Sequence, residues 1–172
     1  MPGARVVVHS HSHAPDCTRT VPGVNDWEIA ARLGVEDTIA RYVRFADSGR
    51  SHELAALFTD DGALVVGSEE RRGPSSITEF LEANKQSLAG SAGGGGRIRH
   101  HVSSLRIDIV SRDEAHATSY FLAITGIGPD HWGMYRDELR RVDDHWRFAR
   151  REAITEGAAP GGWQGDRTTR SG

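Results

Sequence analysis

An aspartate near the predicted end of a helix is the first residue whose type and place suit proton-transfer chemistry. Asp47 comes late in the first helical segment, directly before Ser48 and Gly49. The partial negative charge at a helix C-terminus, together with partial burial, makes a carboxylate a readier proton acceptor. A general base near neutral pH needs this property. The alternative is a solvated aspartate that simply begins a turn.

Two adjacent histidines in a segment of alternating residues are the second candidate. His100 and His101 must point to opposite faces of a regular strand. Extending the alternation of Leu105 and Ile107 backwards selects His101 as the inward residue, and His100 faces inward only if a β-bulge intervenes. Imidazole titrates near neutral pH, so either ring could exchange protons beside Asp47. A hydrogen-bonded structural histidine is an equally frequent meaning of either residue.

A tyrosine in the first helical segment completes the candidate catalytic set. Tyr42 precedes Asp47 on an ideal helix by about 140° of rotation, so the two can flank one cavity without sharing a face. Its hydroxyl could donate to a substrate carbonyl as enolate charge develops, although a core tyrosine is a strong alternative. The other side chains expected to line or cover a pocket, or else to pack in a core, are Phe121, His131, Trp132 and Tyr135.

Three helical segments must position the first part of this set. Asn25 or Asp26 can cap the first helix, which carries apolar residues at spacings of three and four. Gly49 is expected to end that helix in a left-handed conformation. The predicted helices cover 25–46, 51–58 and, after a capping box formed by Ser76 and Glu79, the segment 76–88.

Strand patterns dominate the second half of the chain. Helices first and a meander of long antiparallel strands afterwards is the order of an α+β fold. A sheet of this kind with three helices on one side can curl into a cone around one pocket for a small molecule. The predicted strands are 63–66, 102–110, 115–127, 133–142 and 145–154, with a turn at 59–62 and a flexible glycine-rich loop at 89–96.

The last two predicted strands are rich in charge of both signs. Pairing of arginines with carboxylates across a solvated sheet face accounts for this pattern without an acidic partner. The residues expected on that face are Arg140, Arg141, Arg147, Arg150 and Arg151, opposite Asp137, Glu138, Asp143 and Asp144.

Length and composition limit the class of protein. The chain has 172 residues, enough for one domain with its own core. We expect a domain over 24–156, with flexible segments at 1–23 and 157–172. A net charge of −3 does not favour nucleic acid, and no apolar run approaches the length of a membrane span. The single cysteine, Cys17, fits a reducing, cytoplasmic setting.

Four stretches in a fixed order resemble the SnoaL-like branch of the NTF2-like superfamily. This branch has scytalone dehydratase, bile acid dehydratase, polyketide cyclases and ketosteroid isomerase as relatives. The resemblance implies a cone-shaped α+β barrel with a curved sheet, frequent homodimers, and a pocket that works without a metal or an organic cofactor. The stretches are 42–47 with 53–62, then 72–80, then 99–104, and finally 132–137 with 146–148.

The resemblance also implies roles for particular residues. In the dehydratase members, a tyrosine and an aspartate from the first helix act with a histidine at the start of a central strand, and these fall on Tyr42, Asp47 and His100. The resemblance thus favours His100 over His101. Two positions depart from the pattern. Ser104 stands where the family often has asparagine, and Thr125 stands where scytalone dehydratase has a second histidine.

The sequence therefore predicts two functions of different classes. The first is a cofactor-independent lyase or isomerase that moves a proton next to a carbonyl of an apolar, oxygenated small molecule such as a polyketide or steroid. Asp47, His100 and Tyr42 would carry out this chemistry. The second is a non-catalytic ligand-binding or oligomerising module, comparable to the small subunits of ring-hydroxylating dioxygenases.

Overall fold

A mixed, curved sheet of six strands organises the described part of the molecule. The computed structural model describes residues 25–90 and 97–164. Predictions for 1–23, 91–96 and 165–172, and for Cys17, lie outside these residues. The elements are α1 (Asp26–Ser48), α2 (Ser51–Ala55), β1 (Phe58–Val66), β2 (Glu69–Arg72), α3 (Gly73–Ala89), β3 (Arg99–Ile109), β4 (Glu114–Thr125), β5 (Gly128–Val142) and β6 (His145–Ala158).

The strand order confirms the predicted α+β class. The sheet runs β2-β1-β6-β5-β4-β3, so the four long strands form the expected antiparallel meander. β1 lies parallel to β6 and antiparallel to β2, which makes the sheet mixed. The three helices precede the meander in the chain, and α1 packs against β3 and β6. One face of the curved sheet is therefore covered by helices.

Helix α1 forms as its apolar spacing predicts. Val35, Ile39 and Tyr42 are buried on one face and join the core around Phe58 and Phe148. Burial of such a stripe supplies most of the stability of a helix in a protein. Gly49 ends the helix with φ of +66°, and its N–H donates to the carbonyl of Ala46 at 3.2 Å. The predicted left-handed end is confirmed.

The region after α1 differs from its prediction. The second helix ends at Ala55 rather than at residue 58, and the predicted turn at 59–62 lies inside β1. The pairing of β1 with β6 is irregular between Phe58 and Ala63, so an interrupted strand carries the polar residues that suggested a turn.

The start of α3 also differs from its prediction. This helix begins at Gly73 with Pro74 in its first turn, not at a capping box. The charged edge strand β2 lacks the apolar alternation that predicts strands.

One ion pair predicted on a solvated face is buried instead. Both side chains of Arg151 and Asp137 are 0% exposed. The guanidinium donates through Nε and Nη2 to the two carboxylate oxygens, at 2.8 and 2.7 Å. The prediction of a solvated pair at these two positions is wrong. Asp137 follows the regular alternation of β5 with the buried Tyr135 and Leu139, and an extra residue in β6 between Phe148 and Arg150 turns Arg151 to the same inner face.

The described structure extends beyond residue 156, where the domain was predicted to end. β6 extends to Ala158, and a turn follows through Gln164. Within the described residues, no helix combines the length and apolar character that crossing a membrane requires.

Candidate active site

A cavity opens between the C-terminal end of α1, helix α3 and the inner face of the sheet. Its volume is about 920 Å³, within the usual range for small-molecule sites. Apolar side chains from all three helices and from β1 form much of its wall. Those that argue for an apolar guest are Phe45, Leu54, Leu64, Val66, Phe80, Leu81 and Leu88.

One carboxylate and one imidazole meet in this cavity. Nδ1 of His100 lies 2.8 Å from Oδ1 of Asp47, and the two side chains are only 16% and 15% exposed. The backbone N–H of His100 also donates to the same carboxylate, at 3.1 and 3.3 Å from its two oxygens. A carboxylate accepts hydrogen bonds, so Nδ1 carries the proton and Nε2 is left for exchange with a bound molecule.

A β-bulge decides which of the two adjacent histidines enters the cavity. Between Ser103 and Arg106 of β3 the pairing with β4 shifts by one residue, and Ser104 takes a positive φ of +52°. The extra residue reverses the alternation. His100 therefore shares the inner face with Leu105, although unbroken alternation selects His101.

The end of α1 is held by two cations from other elements. Nη1 of Arg99 donates to the backbone carbonyl of Asp47 at 2.9 Å, and Nζ of Lys85 donates to the carbonyl of Gly49 at 3.3 Å. The last carbonyls of a helix lack partners within the helix, so such donors satisfy them and offset the negative end of the dipole. Asp47 is thus fixed through both its backbone and its side chain.

Aromatic rings around a buried cation form another part of the wall. Tyr42 and Tyr135 line the cavity with ring centroids 6.2 Å apart. The Arg151 guanidinium lies 4.1 Å from the centroid of Tyr42 and 4.4 Å from that of Tyr135. Burial raises the pKa of both phenols, and the charge of Arg151 only partly opposes that effect. Both tyrosines therefore remain hydrogen-bond donors at neutral pH.

A second histidine of the cavity wall has its own carboxylate. Nδ1 of His131 lies 2.8 Å from Oδ1 of the fully buried Asp130. The His131 ring meets the ring of Phe121 edge to face at 5.8 Å between centroids. Phe121 in turn stacks on Tyr135 at 4.6 Å. An imidazole is thus built into the aromatic wall.

The structure brings six of the eight predicted site residues together and leaves two outside. His101 and Trp132 lie on the outer face of the sheet, because strand alternation turns them away from their inward neighbours. Trp132 covers Gly157 of β6, where a Cβ atom would approach its ring to 2.4 Å. The six that line the cavity are Tyr42, Asp47, His100, Phe121, His131 and Tyr135.

Sequence reasoning missed two residues of the wall and two buried charged residues behind it. Asp130 resembled part of a Gly-Pro-Asp strand break, and Arg151 resembled one more surface arginine. Trp163 and Gln164 line the cavity from a segment expected to be a loose tail. The one available signal was Trp163 itself, a large aromatic residue in a glycine-rich segment with little else to bury.

Solved structures share this architecture over most of their length. A scytalone dehydratase-like protein from Novosphingobium aromaticivorans is 27% identical, with a TM-score of 0.68 over 79% of this chain and 91% of that one. A hexachlorocyclohexane dehydrochlorinase from Novosphingobium barchaimii is 20% identical, with a TM-score of 0.66 over 78% and 92%. An NTF2-like protein of cystatin-like fold from N. aromaticivorans is 25% identical, with a TM-score of 0.63 over 80% and 94%.

The fold and its enclosed cavity define an NTF2-like protein. Residues 27–152 match the SnoaL-like domain family, and the chain belongs to that family. Among curated proteins, none matches the sequence.

Proposed function

We propose that this protein is a cofactor-independent lyase or isomerase that acts by proton transfer on an apolar, oxygenated small molecule such as a polyketide or steroid. The observation that carries this proposal is the 2.8 Å contact between Asp47 and His100 inside a largely apolar cavity. A fixed imidazole with one nitrogen committed to a carboxylate is the arrangement that general base catalysis uses.

The proposed first chemical step gives a role to each of three residues of the cavity. Nε2 of His100 removes a proton from the carbon next to a substrate carbonyl, and the electron pair of that C–H bond moves into an enolate. Asp47 holds the ring and stabilises the imidazolium that forms. The Tyr42 hydroxyl donates to the enolate oxygen as its charge grows, a role that requires the phenol to stay protonated.

The relatives favour elimination as the outcome. The names of two structural neighbours denote loss of water and loss of hydrogen chloride. Both reactions are eliminations, in which a proton leaves one carbon and another group leaves the adjacent carbon. Dehydration, a double-bond shift and ring closure all share the first step, so the same dyad serves each of them.

A non-catalytic, self-associating module is the second candidate, and one feature supports it. The outer face of the sheet exposes large apolar side chains that a partner copy could cover. Tyr120 is 54% exposed and Trp132 is 42% exposed. In this account His100 has no chemical role, and the homodimer is the functional form.

The two candidates separate in an assay on a panel of apolar β-hydroxyketones in D2O. We expect the wild-type protein to exchange the carbon-bound proton, seen by NMR, and to release conjugated enones, seen by their absorbance. We expect His100→Gln to lose about 10²- to 10⁴-fold of both activities. The matched control is His101→Gln, one residue away on the outer face, which keeps both. Equal turnover by His100→Gln and wild type contradicts the proposal.

A further inference from the structure

The dipeptide Asp130–His131 forms a second carboxylate–imidazole pair in the same cavity. Asp130 is 0% exposed, and Nδ1 of His131 lies 2.8 Å from its Oδ1. The Thr125 hydroxyl donates to Oδ2 at 3.2 Å. Thr125, on the neighbouring strand β4, thus supports the carboxylate that holds His131.

A turn after β6 completes the surroundings of Asp130. The backbone N–H of Trp163 donates to Oδ2 at 2.7 Å, and that of Gln164 donates to Oδ1 at 3.2 Å. Gly162 passes so close that a Cβ atom there would lie 2.8 Å from Oδ2 of Asp130. The indole N–H of Trp163 donates to Ser87 on α3 at 3.2 Å. One turn therefore links the carboxylate to the opposite wall of the cavity.

These contacts keep Asp130 ionised although it is buried. Burial alone raises the pKa of a carboxyl group, but hydrogen bonds from His131 and from the backbone of Gln164 and Trp163 outweigh it, and the pKa of Asp130 is lowered. An ionised carboxylate accepts from Nδ1 of His131. Proton exchange between His131 and a bound molecule therefore runs through Nε2.

The two imidazoles lie close enough to serve one substrate. The ring centroids of His100 and His131 are 6.4 Å apart and the rings are nearly perpendicular, at 82°. Each ring has its own carboxylate, so neither competes for the partner of the other. Elimination needs a base at one carbon and an acid at the group leaving the next, both within hydrogen-bond reach. Two separately fixed imidazoles meet this need.

We propose that His131 is a second catalytic residue, the general acid of this site. Asp130 is the positioning residue: its carboxylate binds Nδ1 of His131 and the backbone of the turn at 162–164, and these contacts together orient the His131 ring. This inference rests on the proposed lyase activity. In dehydration, Nε2 of His100 takes the carbon-bound proton and the new C=C bond forms. The C–O bond breaks as protonated His131 gives its Nε2 proton to the departing hydroxyl, which leaves as water. Solvent then resets both rings.

The activity test separates this inference from the proposal on which it rests. In the D2O assay with β-hydroxyketones, we expect His131→Gln to keep proton exchange near the wild-type rate and to lose about 10²-fold or more of enone release. His100→Gln loses both. His145→Gln, an exposed histidine on β6, is the matched control and keeps both. Enone release by His131→Gln at the wild-type rate overturns the role of His131.

A second test needs no turnover. Nitrogen-15 NMR of the histidine side chains reports which ring nitrogen carries the proton. We expect His131 in the wild type to be protonated at Nδ1, and we expect its ring signals to change in Asp130→Asn and in Gly162→Ala while those of His100 stay. Gly90→Ala, whose Cβ would meet only ordinary contacts from 3.6 Å, is the control.

The two tests examine different parts of the inference, so each part can fail separately. If the His131 ring signals are the same in Asp130→Asn and in Gly162→Ala as in the wild type, the positioning role of Asp130 is overturned. If the wild-type protein neither exchanges the carbon-bound proton of the β-hydroxyketones nor dehydrates them, the proposed reaction is wrong, and so is the acid role of His131. The NMR measurement then still decides whether Asp130 and the turn orient the ring.

Discussion

Oδ1 of Asp47 and Nδ1 of His100 lie 2.8 Å apart, although 53 positions separate the two residues in the chain. Asp47 comes from the last turn of α1 and His100 from the start of β3, so the contact exists only when the helix packs across the sheet. The backbone N–H of His100 donates to the same carboxylate. The packing of α1 against β3 therefore brings the proposed base together with the carboxylate that holds it.

Replacing the orienting carboxylate tests this relationship. In Asp47→Asn, the amide can no longer stabilise an imidazolium, and its NH2 group can turn the ring to the wrong tautomer. We expect kcat on β-hydroxyketones to fall by about 10²- to 10⁴-fold with little change in KM. Unchanged thermal unfolding shows that the fold survives. A raised KM with an unaltered kcat would mean that Asp47 only helps to bind the substrate.

The bulge at Ser104 allows a test of what turns His100, rather than His101, towards the cavity. Deleting Ser104 removes the extra residue of β3, so His101 turns inward and His100 outward, and we expect proton exchange to be lost. Ser104→Gly keeps the bulge and suits the positive φ, so we expect full activity and equal or slightly greater stability. Full activity after the deletion shows that the bulge does not select the catalytic ring.

The same bulge shows what sequence periodicity can and cannot predict. The apolar spacing of α1 and the alternation of the long strands depend on local geometry, so both elements and their α+β order could be predicted. The bulge is one residue of irregular pairing with no marker such as glycine, so alternation alone selected His101. Arg151 was missed for the same reason, because the extra residue of β6 between Phe148 and Arg150 also has no marker in the sequence. Asp130 was missed because two of the N–H groups that hold its carboxylate come from Trp163 and Gln164, 33 and 34 positions away.

The buried ion pair leads to a prediction about stability. Asp137→Asn leaves the Arg151 charge in the core without its carboxylate, and such a loss costs about 3–5 kcal/mol of unfolding free energy. The matched control is Asp144→Asn, which breaks the exposed pair with Arg141 and costs about 1 kcal/mol or less. Denaturant unfolding measures both. Equal losses in the two variants contradict the burial of Arg151.

The tyrosines of the cavity lead to a prediction about alkaline pH. Burial raises the pKa of Tyr42 and Tyr135, so the folded protein holds these protons more tightly than the unfolded chain does. Their contribution to stability is complete below the unfolded pKa of about 10 and is lost as pH rises further. We expect their phenolate absorbance to rise only together with unfolding, and with a smaller amplitude in Tyr42→Phe. Ionisation of Tyr42 in an intact fold contradicts its burial.

The most direct test of a proton-transfer cavity is the binding of an enol analogue. We choose 2-naphthol, an apolar bicyclic molecule whose hydroxyl imitates an enolate oxygen, since analogues of the transition state bind more tightly than substrates. We expect its titration to shift the side-chain nitrogen signals of His100 and not those of His101, and we expect His100→Gln to weaken binding while His101→Gln does not. Binding that leaves the His100 signals unmoved, or that is equally strong in both variants, contradicts the central claim that His100 meets the substrate in this cavity.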